Sequence, residues 1–183
     1  MIIRRRLALA VAGGTLAAGL WPRKPNAEEL SGLGESLEEL NPPAAVPDGV
    51  FVTRDGSSHH LSEFQGRGMV VNMWATWCAP CVAEMPSLEI LAKALAPKDI
   101  AVLPLSSDRG GADVVAKWFQ SHGIAALPVL LDPKGAMARA FRARGIPTTV
   151  IINKSGAMVA RLEGAADWGT PEAAALIATL TAG

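Results

Sequence analysis

The chain reads as an α/β fold: a mixed central sheet flanked by helices, with an N-terminal hairpin and a central strand–helix insertion. Three features predict it. Nearly continuous apolar runs such as Met69-Val70-Val71-Asn72-Met73-Trp74 suit strands buried on both faces. These runs alternate with longer segments whose apolar residues recur at helical spacing, the element order of helices packed on a sheet. Near the C-terminus two strand-like runs, 148–152 and 157–162, are separated only by a turn at 153–156, which makes the sheet mixed. At 183 residues, half of them hydrophobic, the chain suits one compact domain with a substantial core plus a tail. The formal net charge is zero and no strong basic cluster lies outside the N-terminus, so no electrostatic reason for nucleic-acid binding exists.

The elements follow in order. Residues 1–25 read as a signal anchor or signal peptide. Arg4, Arg5 and Arg6 precede an apolar run from 7 to 21, short for a full membrane span of roughly 20 apolar residues. No small-x-small cleavage site follows, which favours an uncleaved anchor, and the arginines also admit a twin-arginine signal. Three arginines at a helix start oppose the macrodipole and argue against an ordinary buried helix. The positive-inside tendency keeps them in the cytoplasm and sends the rest of the chain out, into an oxidising space. Residues 26–48 are expected to be a spacer. Leu30, Leu33, Leu37 and Leu40 make a helical stripe weakened by Gly32 and Gly34, so this part is either a short docked helix or a frayed spacer. Pro42, Pro43 and Pro47 mark an extended linker. The globular domain is expected over 49–183.

Within it, 50–53 reads as a strand, Asp55-Gly56 as a tight turn, and 60–66 leads into a second turn. After the 69–74 strand, a helix is expected over 78–94, with Val82, Met85, Leu88, Leu91 and Leu95 at helical spacing and Pro86 kinking it. Residues 100–105 make another buried strand. Residues 111–122 make an amphipathic helix with Val114, Val115, Trp118 and Phe119 inward. A short strand at 128–131 and a short helix at 137–141 precede the closing hairpin. Thr170 as cap and Pro171 at the first helical position open a C-terminal helix.

The chemistry lies in Trp77-Cys78-Ala79-Pro80-Cys81. These are the chain's two cysteines. A bridge between them closes so small a ring that it adds little to the fold, so their spacing points to chemistry rather than stapling. With a strand ending at Trp74 and a helix starting at Cys78, the first sulfur meets unpaired N–H groups and the positive end of the dipole, which lower a thiol pKa. Cys81 follows one turn on. The pattern casts Cys78 as exposed nucleophile and Cys81 as buried resolving thiol. Zinc needs about four ligands, and His59, His60 and His122 lie at no regular ligand spacing, so no metal is expected, nor any other cofactor.

The wider segment Val70-Val71-Asn72-Met73-Trp74-Ala75-Thr76-Trp77-Cys78-Ala79-Pro80-Cys81, then Glu84-Met85-Pro86, and further on Gly145-Ile146-Pro147-Thr148-Thr149-Val150, resembles the TlpA/ResA-like membrane-anchored thioredoxins of bacteria. The resemblance covers residue 50 to the C-terminus and implies a thioredoxin fold and a thiol:disulfide oxidoreductase. It implies that Pro147 is a cis-proline facing the cysteines and holding an extended substrate. The Ile146 backbone is then expected to pair with a substrate strand. It makes Glu84 a group that moves a proton to or from Cys81 once burial raises its pKa. Asn72 stands where ordinary thioredoxins carry a buried aspartate and cannot take a proton itself. Trp77 and Pro80 are expected on the docking surface, and Trp74 in the core. Residues 105–131 resemble the group's added strand–helix unit, with 108–111 an exposed loop.

The implied partners are exported client proteins with cysteines or disulfides, and a membrane electron donor of the DsbD/CcdA type. The inner membrane is implied as well, contacted through the N-terminal segment. The implied place is the bacterial periplasm, with the chain tethered to the inner membrane. The clients implied are haem-attachment cysteines of cytochromes c or copper-site cysteines of cytochrome oxidase. Two rivals use the same fold. A copper carrier resembling Sco proteins has three residues between its cysteines and a distant histidine near the substrate loop; here the spacer is two and no histidine lies near Pro147. A thiol peroxidase places its cysteine in a Pro-x-x-x-Thr-x-x-Cys context, absent here. The remaining polar residues read as surface: His59 and His60 in a turn, His122 at a helix end, and Arg139, Arg142 and Arg144 as a solvated helix face. Trp168 is expected to pack the last helix.

Overall fold

A computed structural model describes residues 33–183. The signal-anchor segment expected over 1–25 and the start of the spacer lie outside the described residues. Among those described, no helix is long and apolar enough to cross a membrane.

In chain order the elements are α1 (Leu33–Ser36), β1 (Glu38–Ala45), β2 (Val50–Thr53), β3 (Ser58–His60), β4 (Gly68–Trp74), α2 (Ala79–Leu95), β5 (Ile100–Ser106), α3 (Ala112–Ser121), β6 (Leu130–Leu131), α4 (Ala136–Ala140), β7 (Thr148–Ile152), β8 (Ala157–Glu163) and α5 (Pro171–Leu180). The strands form one sheet in the order β1-β8-β7-β4-β5-β6-β2-β3. β4 runs parallel to β5 and antiparallel to β7, so the sheet is mixed as expected.

β4 positions everything else. All seven of its residues are buried. Val70 and Trp74 join the core beneath α2, α3 and α5, while Met69, Val71 and Met73 join a second core with Phe51, Leu105, Met137 and Phe141. That period-two split is what a strand covered on both faces requires. Each fully buried side chain of this size contributes roughly 1.5–3 kcal/mol. α2 crosses one face through Met85, Leu88, Leu91 and Leu95, and carries Pro86 in its interior without ending. The N-terminal hairpin is β2–β3, its turn closed at Gly56 with φ +88° and by the Asp55 carboxylate accepting from Thr53 and Ser57. Thr170 caps α5, its hydroxyl accepting the Ala173 N–H.

Three expectations change. The sheet begins ahead of Gly49: part of the Pro-rich stretch is the edge strand β1, paired with β8 at Glu38, Glu39, Ala44 and Ala45. Prolines suit an edge strand with an interrupted ladder, and here the register shifts between Glu39 and Ala44. On α3, Val115 and Phe119 are buried and Trp118 is half-buried, but Val114 is 40% exposed, because the inward stripe centres on residues four apart, 115 and 119. Arg142 and Arg144 lie beyond α4 rather than on its face, and Arg144 pairs with Glu163 at 2.6 Å.

Candidate active site

β4 ends at Trp74, and its parallel partner β5 ends at Ser106 opposite it. From there Ala75, Thr76 and Trp77 turn the chain into α2. Cys78 is the N-cap of α2 and Pro80 lies in the first turn, where its missing N–H costs no hydrogen bond. Cys78 and Cys81 form a disulfide, with sulfurs 2.07 Å and Cα atoms 5.2 Å apart. The Cys81 backbone N–H donates to Cys78 Sγ at 3.3 Å. The sulfur thus takes the place of a capping oxygen, on the donors that would stabilise it as an anion.

The two cysteines differ in access, in the order expected but not to the extent expected. Cys78 keeps 6% of its surface and Cys81 none. The nucleophile expected to be exposed is a narrow window rather than a projecting group, since its sulfur is bonded to Cys81 and lies 3.7 Å from the Ile146 carbonyl oxygen. Trp77 beside it is 69% exposed, and Ala79 and Pro80 are exposed too. Across the cleft Ile146–Pro147 is a cis peptide bond. It leads into β7, and the Pro147 carbonyl accepts the Gly164 N–H at 2.9 Å. The geometry therefore gathers Trp77, Cys78, Pro80, Cys81, Ile146 and Pro147 at one end of the sheet.

Glu84 lies one turn beyond Cys81 on α2 and is fully buried. Its Oε1 accepts Asn72 Nδ2 at 2.8 Å; its Oε2 accepts Trp168 Nε1 at 3.1 Å and Ala166 N at 3.2 Å. Asn72 also donates to Thr149 Oγ1 at 2.9 Å, while its own Oδ1 has no partner. Burial pushes Glu84 up from the ordinary 4.5 to about 7, against the opposing pull of the hydrogen bonds from Asn72, Trp168 and Ala166. It is therefore poised to carry or release a proton near neutral pH.

Two residues of the site escaped the sequence reading. Trp168, expected only to pack α5, also donates to the Glu84 carboxylate from 84 positions along the chain. Asp108, expected on an exposed loop, is buried and accepts from the Thr76 N–H at 2.9 Å and the Thr76 hydroxyl at 2.7 Å. Among the described residues, no group of three or more His, Cys, Asp or Glu side chains is placed to hold a metal ion.

The comparisons with known proteins agree with this geometry. Residues 42–161 match the model of the AhpC/TSA family. The chain is 25% identical over 163 residues to the thiol-disulfide oxidoreductase ResA of Bacillus cereus, covering 89% of this chain and 88% of that protein. It is 29% identical over 119 residues to ResA of Bacillus thuringiensis subsp. konkukian, covering 65% and 68%. Among solved structures it is similar to a thiol:disulfide interchange protein of the thioredoxin family from Chlorobium tepidum, with a TM-score of 0.62 and 25% identity over 77% of this chain and 97% of that one.

Proposed function

The chain belongs to the AhpC/TSA family as a thiol–disulfide oxidoreductase of the TlpA/ResA-like thioredoxin kind, and from that premise we propose that it is a dithiol reductase of exported protein cysteines. The observation that carries the exchange chemistry is Cys78 at the N-cap of α2 with its sulfur accepting the Cys81 N–H; the direction, toward reduction of clients, follows the TlpA/ResA-like resemblance. A helix N-terminus stabilises a sulfur anion, the nucleophile of thiol–disulfide exchange.

In the reduced protein the Cys78 thiolate attacks one sulfur of a client disulfide. A Cys78–client bond forms, the client's S–S bond breaks, and the other client sulfur leaves as a thiolate. Cys81 then gives its proton to the Glu84 carboxylate and attacks Cys78 Sγ. The Cys78–Cys81 bond forms and the client's second thiolate departs, so two electrons have passed to the client. A membrane dithiol donor of the DsbD/CcdA type returns the chain to its reduced form by the reverse exchange. Glu84 suits its part because its pKa of about 7 lets it hold or release a proton near neutral pH. Oε1 accepts one N–H, from the Asn72 amide whose oxygen lacks a partner, where Oε2 accepts two, so Oε1 is the oxygen assigned the proton. A turn of the Asn72 amide then lets Oδ1 accept that proton's hydrogen bond, and the Thr149 hydroxyl can donate to the same oxygen.

Trp77, with Pro80 beside it, is the apolar docking surface for the client. The Ile146 backbone pairs with an extended client segment, and Pro147 holds it against the sulfurs. The chain works in the periplasm, held at the inner membrane by residues 1–25, with a spacer after them and a catalytic domain that takes in 49–183 together with the edge strand β1. Its clients are haem-attachment cysteines of cytochromes c or copper-site cysteines of cytochrome oxidase. The test is reduction of a disulfide-bridged peptide bearing a Cys-x-x-Cys-His sequence, with thiols counted over time. The reading expects Cys78→Ser to abolish it. Reduction that survives the substitution overturns the assignment, and turnover of peroxide in place of the peptide would favour a peroxidase.

A further inference from the structure

We propose that Asp108 is a positioning residue for the cysteine pair, holding the Ala75–Trp77 turn to the strand–helix insertion by taking over the sheet's ladder where β4 leaves it. The proposal rests on Cys78 being the nucleophile.

β4 and β5 are paired as far as Trp74 and Ser106. One step beyond, the Trp74 carbonyl accepts both the Ser107 N–H at 3.0 Å and the Ser107 hydroxyl at 3.2 Å. Beyond that, the turn carrying the cysteines has left the sheet, and the Thr76 N–H no longer has a strand carbonyl to meet. The Asp108 carboxylate supplies the acceptor. Oδ2 takes the Thr76 N–H at 2.9 Å and Oδ1 the Thr76 hydroxyl at 2.7 Å, a two-point grip that fixes both the backbone and the side chain of one residue. Ser106 in turn fixes the carboxylate, its hydroxyl donating to Oδ2 at 2.6 Å and accepting the Asp108 N–H at 3.1 Å.

Asp108 is only 3% exposed, although its neighbours Arg109 and Gly110 are exposed. A carboxylate withdrawn from water is stable only when its lone pairs are used, and here three donors use them. Thr76 is two residues from Cys78 and next to Trp77. A loosened Thr76 therefore lets both the attacking sulfur and the docking tryptophan wander from the geometry that in-line attack on a disulfide demands. Displacements on the order of an ångström at a reacting centre cost up to about a hundredfold in rate. The same grip ties the cysteine turn to the loop that opens the insertion.

An asparagine at 108 can reproduce every bond: its oxygen accepts from Thr76 N–H and the Ser106 hydroxyl, and its amide donates to the Thr76 hydroxyl. The experiment compares the full chain with its D108A, D108N and T76V variants. It measures the rate at which each reduced protein opens the disulfide of a model peptide, together with its thermal midpoint. We expect D108A to slow the exchange about tenfold and D108N to stay within about threefold of the unsubstituted chain; T76V, which loses only the hydroxyl bond, falls between them. A D108A rate within about twofold of the parent overturns the proposal, as does a D108N rate as low as that of D108A. Should D108A fail to fold, T76V decides: an unchanged rate overturns the proposal. An unsubstituted chain that performs no exchange at all would instead defeat the assignment of Cys78.

Discussion

Replacing Glu84 by glutamine tests the buried carboxylate. Its pKa lies at about 7 in the folded chain against 4.5 for an ordinary glutamate. The folded state therefore holds a proton over a pH range in which the unfolded state has released it, and stability falls as pH rises from about 4.5 through 7. A separation of about 2.5 units at roughly 1.4 kcal/mol each makes the cost of the ionised group about 3 kcal/mol above neutrality. Glutamine carries no charge and nearly the same shape. Its oxygen can accept from Trp168 and Ala166, and its amide can donate to Asn72 Oδ1 once that amide turns, so few hydrogen bonds are lost. For a domain of this size about 3 kcal/mol corresponds to a shift in Tm of roughly 6–12 °C. Thermal unfolding followed by circular dichroism at pH 5 and pH 8 is the assay. E84Q should gain on the parent by most of that amount between the two pH values, since a little of the penalty is already present at pH 5. A difference between parent and variant that does not change with pH refutes the reasoning, because a group that ionises freely in the fold contributes no such slope.

Trp168→Phe keeps the ring in the core and deletes the Nε1–H that donates to Glu84. With one stabilising donor lost, Glu84 should move further up, and the pH at which stability begins to fall should follow it; an unmoved profile would mean that the contact carries no electrostatic weight. Glu89, also buried, accepts the N–H groups of Ala125, Ala126 and Leu127. Its burial pushes its pKa up, but hydrogen bonds from Lys93, Ala126 and Ala125 outweigh this and leave it lowered. Glu89→Ala should cost about 1–2 kcal/mol in urea unfolding and speed hydrogen exchange at the Ala126 and Leu127 amides, because the buried Leu127 N–H and the part-buried N–H groups of Ala125 and Ala126 lose their acceptor.

The sequence disclosed the parts of this fold that rest on local rules. β4 and β5 announce themselves as apolar runs, the β7–β8 hairpin by its turn, and α5 by Thr170-Pro171. The cysteine pair was legible because a strand, a short turn and a helix meet within a dozen residues. What stayed hidden depends on contacts between distant segments. Pro42 and Pro43 speak against a strand, and only the free edge beside β8 lets them join one. Asp108 looks like any polar residue after a strand, and its burial follows from where Thr76 lies. Trp168 had an apolar role ready to hand, which concealed the one N–H it directs at Glu84. Nothing in the sequence around Asn72 shows that its amide faces the Glu84 carboxylate, because the two meet only when α2 packs on β4.

The most direct test of the central claim is to trap mixed disulfides in the native cell with two variants, Cys81→Ser and Cys78→Ser. The account predicts that the first accumulates covalent adducts with exported cysteine-bearing proteins through Cys78, and that the second accumulates none. Adducts formed through Cys81 in the second variant, or none in either, would contradict it.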